Sequence, residues 1–284
     1  MAAVLIACSL LPGTHSVQAA PVQAAPVQAT PRQVTVVGST TLQPLVKRIA
    51  REFMKDHPGP PIVVSGGGSG EGVGALLRGE ADIANSSRFV TEQELDQAMG
   101  SGIYPVPFRI ANDSIIPIVH NTNRIKNLTQ EELKRIYRGE ISNWRELGGS
   151  DLGIEAFSRP ADSGTFGVWH EIVMAREKMA AGVRRAQSSG QMVKAVSNAR
   201  GAIGYISLGH LSASVKPLRV NGVMGSIYMV RNGTYILSRP LFMFTRGWPR
   251  GRVLELINYA LSPDKGQAIA QKSGLIPFYR YKNH

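Results

Sequence analysis

The sequence lacks the features that stabilise small secreted domains or bind nucleic acid. Its 284 residues include one cysteine, Cys8, so an internal disulfide is excluded. Lys and Arg outnumber Asp and Glu by 32 to 20, a net charge of +12, yet they form no dense basic run, and the chain has no aromatic RNA-recognition signature. We therefore do not expect nucleic acid as a partner. A small anion or a membrane surface would fit the charge, and an ordinary solvated basic surface is the alternative.

Long hydrophobic runs are also absent. The apolar stretch at the N-terminus ends at Leu11, which is too short to span a bilayer and is typical of an export signal. Leu5-Ile6-Ala7-Cys8 resembles the bacterial lipobox, in which the cysteine is lipidated, whereas Val17-Gln18-Ala19 resembles a conventional cleavage site. The basic region that normally opens a signal is missing. We predict that residues 1–17 are a signal peptide or lipoprotein signal, that Cys8 is a candidate lipidation site, and that the protein lies in the periplasm or at the cell surface.

The next segment, residues 18–31, repeats a Gln-Ala-Ala-Pro-Val unit and has no periodicity with a buried face. Such low-complexity sequence is typical of an extended tether. We predict that it holds the following domains away from a membrane or cell wall.

Signatures of cofactor, metal and covalent chemistry are missing from the rest of the chain. The glycine run around Ser69 fails the Gly-x-Ser-x-Gly pattern because Glu71 stands at its last position, and it contains no nucleotide-binding motif. His170 and Glu171 begin a zinc-protease pattern, but Met174 stands where its second histidine belongs. We predict no metal, no cofactor and no enzymatic activity, with a serine hydrolase kept as an alternative.

Apolar periodicity indicates alternating strands and helices from Gln33 onward. Short β runs at 34–37, 62–64 and 81–84 alternate with helical segments, a pattern that predicts parallel strands joined by crossover helices. Further along, the sequence predicts capping boxes that open helices at Thr91 and Thr129, crossing strands at 115–119 and 235–244, and a helix from Val168 to Met179.

Three strand-to-helix turns carry Ser, Thr and Gly: Ser39-Thr40-Thr41, Gly68-Ser69-Gly70 and Ser163-Gly164-Thr165. Each offers hydroxyl groups and the unpaired N–H groups of a helix N-terminus, which favour anions. Arg159 precedes the third turn and supplies a permanent charge with a planar fork that suits an oxyanion. Because the carboxyl ends of parallel strands form the binding edge of open α/β sheets, these turns are expected to converge on one tetrahedral anion.

These motifs, together with several others, resemble the phosphate-binding protein of the bacterial phosphate ABC transporter. The resemblance runs from about residue 33 to 278 and includes the segments at 36–45, 65–72, 81–88, 128–133, 139–144, 159–165, 201–205 and 237–240. It implies an α/β, two-domain periplasmic-binding-protein fold of type II, or Venus-flytrap, with two hinge crossings. Domain I would comprise 32–113 and 238–284, and domain II would comprise 114–237.

The resemblance also implies the ligand and its contacts. Inorganic phosphate would be captured between the domains and delivered to an ABC transporter permease, by a protein expected to be a monomer. By motif position, the phosphate-binding residues would be Thr40, Thr41, Ser69, Ser87, Arg159, Ser163, Gly164 and Thr165.

Two departures from the family pattern bear on selectivity. Some members have an aspartate at the position of Ser87, which can accept the proton of hydrogen phosphate and repel sulfate. We hypothesise that Asp113 supplies this acceptor instead. The acidic partner expected two residues after Arg159 is Ala161, with Asp162 one place later. A receptor for another oxyanion, such as sulfate, molybdate or phosphonate, therefore stays open as an alternative.

Overall fold

A computed structural model describes residues 32–278 of the chain. The predicted signal, the predicted tether and Cys8 lie outside these residues. Across 32–278, no helix combines the length and apolar character needed to cross a bilayer.

The described residues form eleven strands and nine α-helices. The strands are β1 (Val34–Gly38), β2 (Ile62–Val64), β3 (Ile83–Ser86), β4 (Pro105–His120), β5 (Asn127–Leu128), β6 (Glu155–Ser158), β7 (Arg184–Arg185), β8 (Ala202–Ser207), β9 (Val215–Pro217), β10 (Arg219–Val220) and β11 (Ser238–Arg246). The helices are α1 (Gln43–Asp56), α2 (Ser69–Arg78), α3 (Glu92–Gly100), α4 (Gln130–Arg138), α5 (Gly164–Ile172), α6 (Ser189–Asn198), α7 (Ile227–Arg231), α8 (Gly251–Leu261) and α9 (Ala268–Lys272), with 3-10 turns at Trp144–Leu147 and Leu208–His210.

The main sheet has the order β2-β1-β3-β11-β4-β8-β6-β7, with β9 paired to β4. The pairs β1–β2 and β1–β3 are parallel, which confirms the prediction from the alternating pattern. β11 runs antiparallel to β3 and to β4. The carboxyl ends of β1, β2 and β3 therefore meet at one edge, next to the start of β11.

Hydrophobic clusters divide the described residues into two groups. Two clusters, centred on Phe53 and Leu76, contain only residues of 32–113 and 238–278, which we call lobe I. Two others, centred on Trp169 and Met192, contain only residues of 114–237, which we call lobe II. The predicted domain boundaries follow this separation of cores, and their division into two domains stays a prediction.

Strands β4 and β11 connect the lobes. β4 is far longer than the predicted crossing at 115–119, and β11 begins at Ser238 rather than at Tyr235. Pro240 lies within β11 opposite Asn112, whose backbone N–H and C=O both bond to Ile276. Because Asn112 directs both backbone groups to Ile276, the missing N–H of Pro240 leaves no hydrogen bond between β4 and β11 unmade at this position.

The first residues of the helices are predicted more accurately from the sequence than their last residues. Both predicted capping boxes form, at Thr91 with Glu94 and at Thr129 with Glu132. The helix predicted to reach Met179 is wrong in length, because α5 ends at Ile172. The backbone at Ala175 and Arg176 adopts the left-handed region, with φ of 47° and 66°, and this conformation cannot continue a helix.

Candidate functional site

The first turn of the site is held tightly against the neighbouring strand. Gly38 ends β1 with φ of 133°, and a Cβ at this position would lie 2.3 Å from the carbonyl oxygen of Asn85. The same carbonyl accepts the N–H of Ser39 at 2.9 Å. Glycine is required at 38 both for its backbone conformation and for this close approach. The chain then places Thr40 and Thr41 immediately before α1.

The second turn and the end of β3 meet through two buried serines. Ser69 is the first residue of α2, and its Oγ accepts the backbone N–H of Ser87 at 3.1 Å. The two Oγ atoms are 3.4 Å apart. Both side chains are buried, so their hydroxyl groups face each other rather than bulk solvent.

The third turn lies in lobe II at the end of β6. Ser163 caps α5 by accepting the N–H of Phe166, and Gly164 and Thr165 form the first turn of that helix. Tyr205 holds the end of β6 in place. Its hydroxyl group lies 2.7 Å from Ser158 Oγ and accepts the N–H of Arg159 at 3.2 Å. Burial raises the pKa of Tyr205 to about 12, so this hydroxyl group stays protonated.

The turns of the two lobes touch. The Oγ1 atoms of Thr41 and Thr165 are 3.2 Å apart, and both side chains are buried. Arg159 Nη2 donates to Thr40 Oγ1 at 3.2 Å. A Cβ added at Gly164 would lie 2.3 Å from Ser69 Oγ and 2.6 Å from Ser87 Oγ. The residues predicted from the three turns therefore lie together at one buried junction between the lobes.

Arg159 is oriented by backbone carbonyls rather than by a carboxylate. Its Nε donates to Ala186 O at 2.9 Å and its Nη2 donates to Gln187 O at 3.0 Å. Its side chain is buried, with 2% exposed, and burial lowers its pKa to about 10, so the group remains charged at neutral pH. Within residues 32–278 it has no ion-pair partner, which leaves a positive charge available to an anion.

Asp162 contributes to the junction through its backbone. Its carbonyl oxygen accepts the N–H of Gly70 at 2.9 Å, which joins lobe II to the start of α2. A Cβ at Gly68 would lie 2.8 Å from Asp162 Oδ2, so glycine is needed there for close packing. Within the described chain the Asp162 carboxylate makes no hydrogen bond or ion pair with Arg159, although its charge raises the pKa of Arg159 and so opposes the effect of burial.

A buried ion pair lies beside the junction. Arg239 donates to Asp113 Oδ2 from Nε at 3.0 Å and from Nη2 at 2.8 Å, and the two side chains are 1% and 0% exposed. Arg239 Nη2 also lies 3.3 Å from Thr41 Oγ1. The other carboxylate oxygen of Asp113 accepts from Ser207 Oγ at 2.7 Å and from the N–H of Leu208 at 3.2 Å. Desolvation lowers the pKa of Arg239, and the charge of Asp113 opposes that effect.

Sequence reasoning missed Ser189 as part of the site. Its hydroxyl group lies 3.4 Å from Arg159 Nη1 and 3.5 Å from Thr40 Oγ1. A signal was present, since Ser188-Ser189-Gly190 repeats the pattern of Ser and Gly at a helix start, and Ser188 caps α6. The carbonyls of Ala186 and Gln187 carry no such signal, because any residue supplies a backbone oxygen.

The side chains that meet here suit an oxyanion better than a metal ion. They offer hydroxyl groups, helix N-terminal N–H groups and a guanidinium, all of which donate hydrogen bonds. Within residues 32–278, no group of three or more His, Cys, Asp or Glu side chains is placed to hold a metal ion.

Comparison with known proteins agrees with this geometry. The family model for the PBP superfamily domain matches residues 23–264. The chain belongs to the PBP superfamily. Among curated relatives, the phosphate-binding protein PstS of Bacillus subtilis is 32% identical over 245 residues, covering 86% of this chain and 80% of that protein.

Similar solved structures confirm the predicted fold. A phosphate ABC transporter substrate-binding protein from Clostridium perfringens, with bound phosphate, is 32% identical with a TM-score of 0.81, covering 87% of this chain and 100% of that one. An ABC-type phosphate transport receptor from Vibrio cholerae is 30% identical with a TM-score of 0.70, covering 86% and 99%. This chain is similar to these substrate-binding proteins over nearly all of their length.

Proposed function

We propose that the protein is an extracytoplasmic receptor that captures inorganic phosphate between its two lobes and delivers it to an ABC importer. The observation that carries this proposal is the contact between Thr41 of lobe I and Thr165 of lobe II, at the point where three helix N-termini and Arg159 meet. The relatives described as phosphate-binding proteins support phosphate as the ligand.

The proposed ligands are the hydroxyl and N–H groups of the three turns together with Arg159: Thr40, Thr41, Ser69, Ser87, Arg159, Ser163, Gly164 and Thr165. Burying a doubly charged anion is costly unless many donors replace its water. Each charge-assisted hydrogen bond contributes about 1.5–3 kcal/mol, so several donors from both lobes must act together. The buried, unpaired guanidinium of Arg159 offsets part of the charge.

Binding and closure would be coupled. Lobe I supplies the donors of the first two turns and of Ser87, and lobe II supplies those of the third turn. Only a closed arrangement presents both sets at once, so phosphate would shift the protein towards closure. Strands β4 and β11 are the two connections about which the lobes would move.

Export, tethering and the transport partner belong to the same proposal. A lipid attached at Cys8, or a signal cleaved after residue 17, would place the receptor in the periplasm or at the cell surface, and residues 18–31 would be its tether. The closed monomer would dock on a membrane permease.

We propose no enzymatic activity. Ser69, the residue behind the hydrolase alternative, has its hydroxyl group against Ser87, and within 32–278 no hydrogen bond joins it to a histidine or a carboxylate. A nucleophilic serine needs such a base. We expect no turnover of phosphate esters and no labelling by a fluorophosphonate.

Calorimetric titration of the purified full chain with inorganic phosphate tests the proposal. We expect saturable one-to-one binding, and the absence of saturation at millimolar phosphate would overturn it. The serine at position 87 favours one further candidate, a receptor for another oxyanion. Competition with sulfate, molybdate, arsenate and a phosphonate separates the two, because a receptor for another oxyanion would bind one of these more tightly than phosphate.

A further inference from the structure

Ser189, the first residue of α6, brings a buried hydroxyl group of lobe II to the junction. The residue is 2% exposed. Its Oγ lies 3.4 Å from Arg159 Nη1 and 3.5 Å from Oγ1 of Thr40, which belongs to lobe I. The two residues before α6 that hold Arg159 do so through backbone carbonyls, those of Ala186 and Gln187. This short segment therefore contacts the guanidinium three times and the opposite lobe once.

The pair of Thr40 and Ser189 repeats the arrangement of Thr41 and Thr165. In each pair one hydroxyl group comes from the first turn, in lobe I, and the other from a helix start in lobe II, and the oxygens are 3.5 Å and 3.2 Å apart. A buried arginine guanidinium lies beside the threonine of lobe I in both pairs, at 3.2 Å and 3.3 Å. Ser189 thus occupies the place in one pair that Thr165, a proposed phosphate ligand, occupies in the other.

The contacts of Arg159 fix the direction of the hydrogen bonds in this group. A guanidinium has five N–H groups. Its Nε–H binds a carbonyl oxygen, its two Nη2 hydrogens bind Gln187 O and Thr40 Oγ1, and one Nη1 hydrogen binds Ser189 Oγ. Both hydroxyl oxygens accept from the guanidinium, so the hydrogen of each hydroxyl group needs a different acceptor.

Within residues 32–278 the two hydroxyl groups cannot both donate to each other. At most one of Thr40 and Ser189 donates across the 3.5 Å between them, because each carries a single hydrogen. At least one O–H is then left to donate elsewhere, and so is the second Nη1 hydrogen of Arg159. The group is therefore richer in donors than in acceptors, and it carries a positive charge.

Two carboxylates lie near the junction, and within the described chain neither takes these hydrogens. The oxygens of Asp113 accept from Arg239, from Ser207 and from a backbone N–H. The carboxylate of Asp162 packs against Gly68, where an added Cβ would lie 2.8 Å from its Oδ2, and it forms no hydrogen bond with either hydroxyl group. An oxyanion held between the lobes would supply acceptors for the remaining hydrogens.

We propose that Ser189 is a further phosphate ligand, whose O–H donates to a phosphate oxygen while its Oγ accepts from Arg159. The inference rests on the proposed function. It adds a hydroxyl group from a fourth helix start to those of the three turns. It also gives Arg159 a second way to act on the anion, because a hydroxyl group that accepts from a cation is polarised and becomes a stronger donor.

Variants of the full-length protein test this role, with the dissociation constant for inorganic phosphate at pH 7 measured by calorimetry. Ser189→Ala removes the proposed donor. Ser188→Ala is the matched control, because it removes the hydroxyl group of the neighbouring residue, which caps α6 by accepting the N–H of Gln191 at 3.1 Å. Ser189→Ala is also made in Arg159→Lys, which separates a direct donor from a residue that only orients the guanidinium. Thermal unfolding without ligand reports on the fold of each variant.

We expect Ser189→Ala to bind phosphate at least about tenfold more weakly than the wild type, as for the loss of one hydrogen bond to an anion. Ser188→Ala should keep the affinity within about threefold, although the loss of its cap lowers the unfolding temperature by about a few degrees. Added to Arg159→Lys, Ser189→Ala should still cost at least about fivefold, because a direct donor does not need the guanidinium.

Three results would overturn the proposal. Ser189→Ala could bind within about threefold of the wild type, or Ser188→Ala could lose as much affinity as Ser189→Ala, which would assign the effect to the stability of α6. Ser189→Ala could also cause no further loss in Arg159→Lys, in which case Ser189 only orients the guanidinium. A wild-type protein that binds no phosphate overturns the proposed function instead.

Discussion

Gly164 and Ser69 belong to different lobes, and a methyl group added to Gly164 would lie 2.3 Å from Ser69 Oγ. The same methyl group would lie 2.6 Å from Ser87 Oγ. The backbone of Gly164 is that of an ordinary helix start and does not itself require glycine. Glycine is needed at this position because of the approach of the opposite lobe.

Gly164→Ala should therefore weaken phosphate binding while the ligand-free protein remains folded. We expect affinity to fall at least about 30-fold, since closure must displace two buried serines, each of which makes hydrogen bonds worth about 1 kcal/mol or more. Calorimetry measures the affinity, and thermal unfolding without ligand should shift by only a few degrees. Gly190→Ala is the matched control in the first turn of α6, where a Cβ would meet only Ser188 Oγ at 3.9 Å. Unchanged affinity in Gly164→Ala would contradict the closed geometry.

Asp113→Asn should destabilise the fold, because it leaves the buried guanidinium of Arg239 without a counter-charge. Removing one partner of a buried ion pair costs about 3–5 kcal/mol. Denaturant unfolding measures the loss, and the double variant Asp113→Asn with Arg239→Met should recover part of it, because it leaves no unpaired charge and keeps an oxygen for Ser207 and Leu208. As a control, Asp151→Asn breaks an exposed pair with Arg145 and should cost under about 1 kcal/mol.

The same variant decides the hypothesis that Asp113 accepts the phosphate proton. If Asp113 has this role, folded Asp113→Asn loses its phosphate-over-sulfate preference. An unchanged preference eliminates the role.

Arg159→Lys should weaken phosphate binding although the charge is kept. The guanidinium uses Nε for Ala186 O and Nη2 for Gln187 O, and an ammonium group cannot reproduce this fixed fork. The loss of one or two charge-assisted bonds, about 1.5–3 kcal/mol, corresponds to roughly 10- to 150-fold in affinity. Arg184→Lys changes an exposed arginine paired with Glu155 and should leave binding unaltered. If Arg159→Lys and Arg184→Lys bound phosphate with equal affinity, the charge of Arg159 and not its geometry would account for its role.

His210 should make the stability of the protein depend on pH in mildly acidic solution. Burial lowers its pKa below 6.5 in the folded protein, so the unfolded chain binds the proton first. The free energy of unfolding is then fully present above pH about 6.5 and falls as the pH drops below that value. Between pH 7 and 5.5, the free energy of unfolding of His210→Gln, measured with denaturant, should decline less than that of the wild type. A steeper decline in His210→Gln would contradict the burial of a neutral ring.

Much of the fold and of the site could be predicted because the signals are local. The N-cap of α5 at Ser163 and the capping boxes at Thr91 and Thr129 depend on residues within four positions of each other. Parallel pairing of β1, β2 and β3 follows from their alternation with helices, and it places Thr41 and Ser69 at one edge.

What could not be predicted depends on contacts between distant segments. Arg159 is oriented by the carbonyls of Ala186 and Gln187, and backbone carbonyls leave no trace in a sequence. No Gly or Pro marks the end of α5 at Ile172. The left-handed backbone that follows it is adopted by Ala175 and Arg176, residue types that do not predict such a conformation. The pairing of Asp113 with Arg239 depends on the register of β4 and β11, which periodicity alone does not fix.

Asp113 and Arg239 face each other in the two strands that join the lobes, and Arg239 also reaches Thr41 and the carbonyl of Ser87. The same ion pair therefore lies in the strands that connect the lobes and contacts the proposed phosphate ligands. If the lobes move about these two strands as proposed, substitutions at Asp113 or Arg239 made to change the preferred anion would also change how readily the ligand-free protein closes. Within the described residues, the turn of Ser163, Gly164 and Thr165 makes no hydrogen bond with either of these two side chains, so it is the place to alter recognition with the least effect on the connection between the lobes.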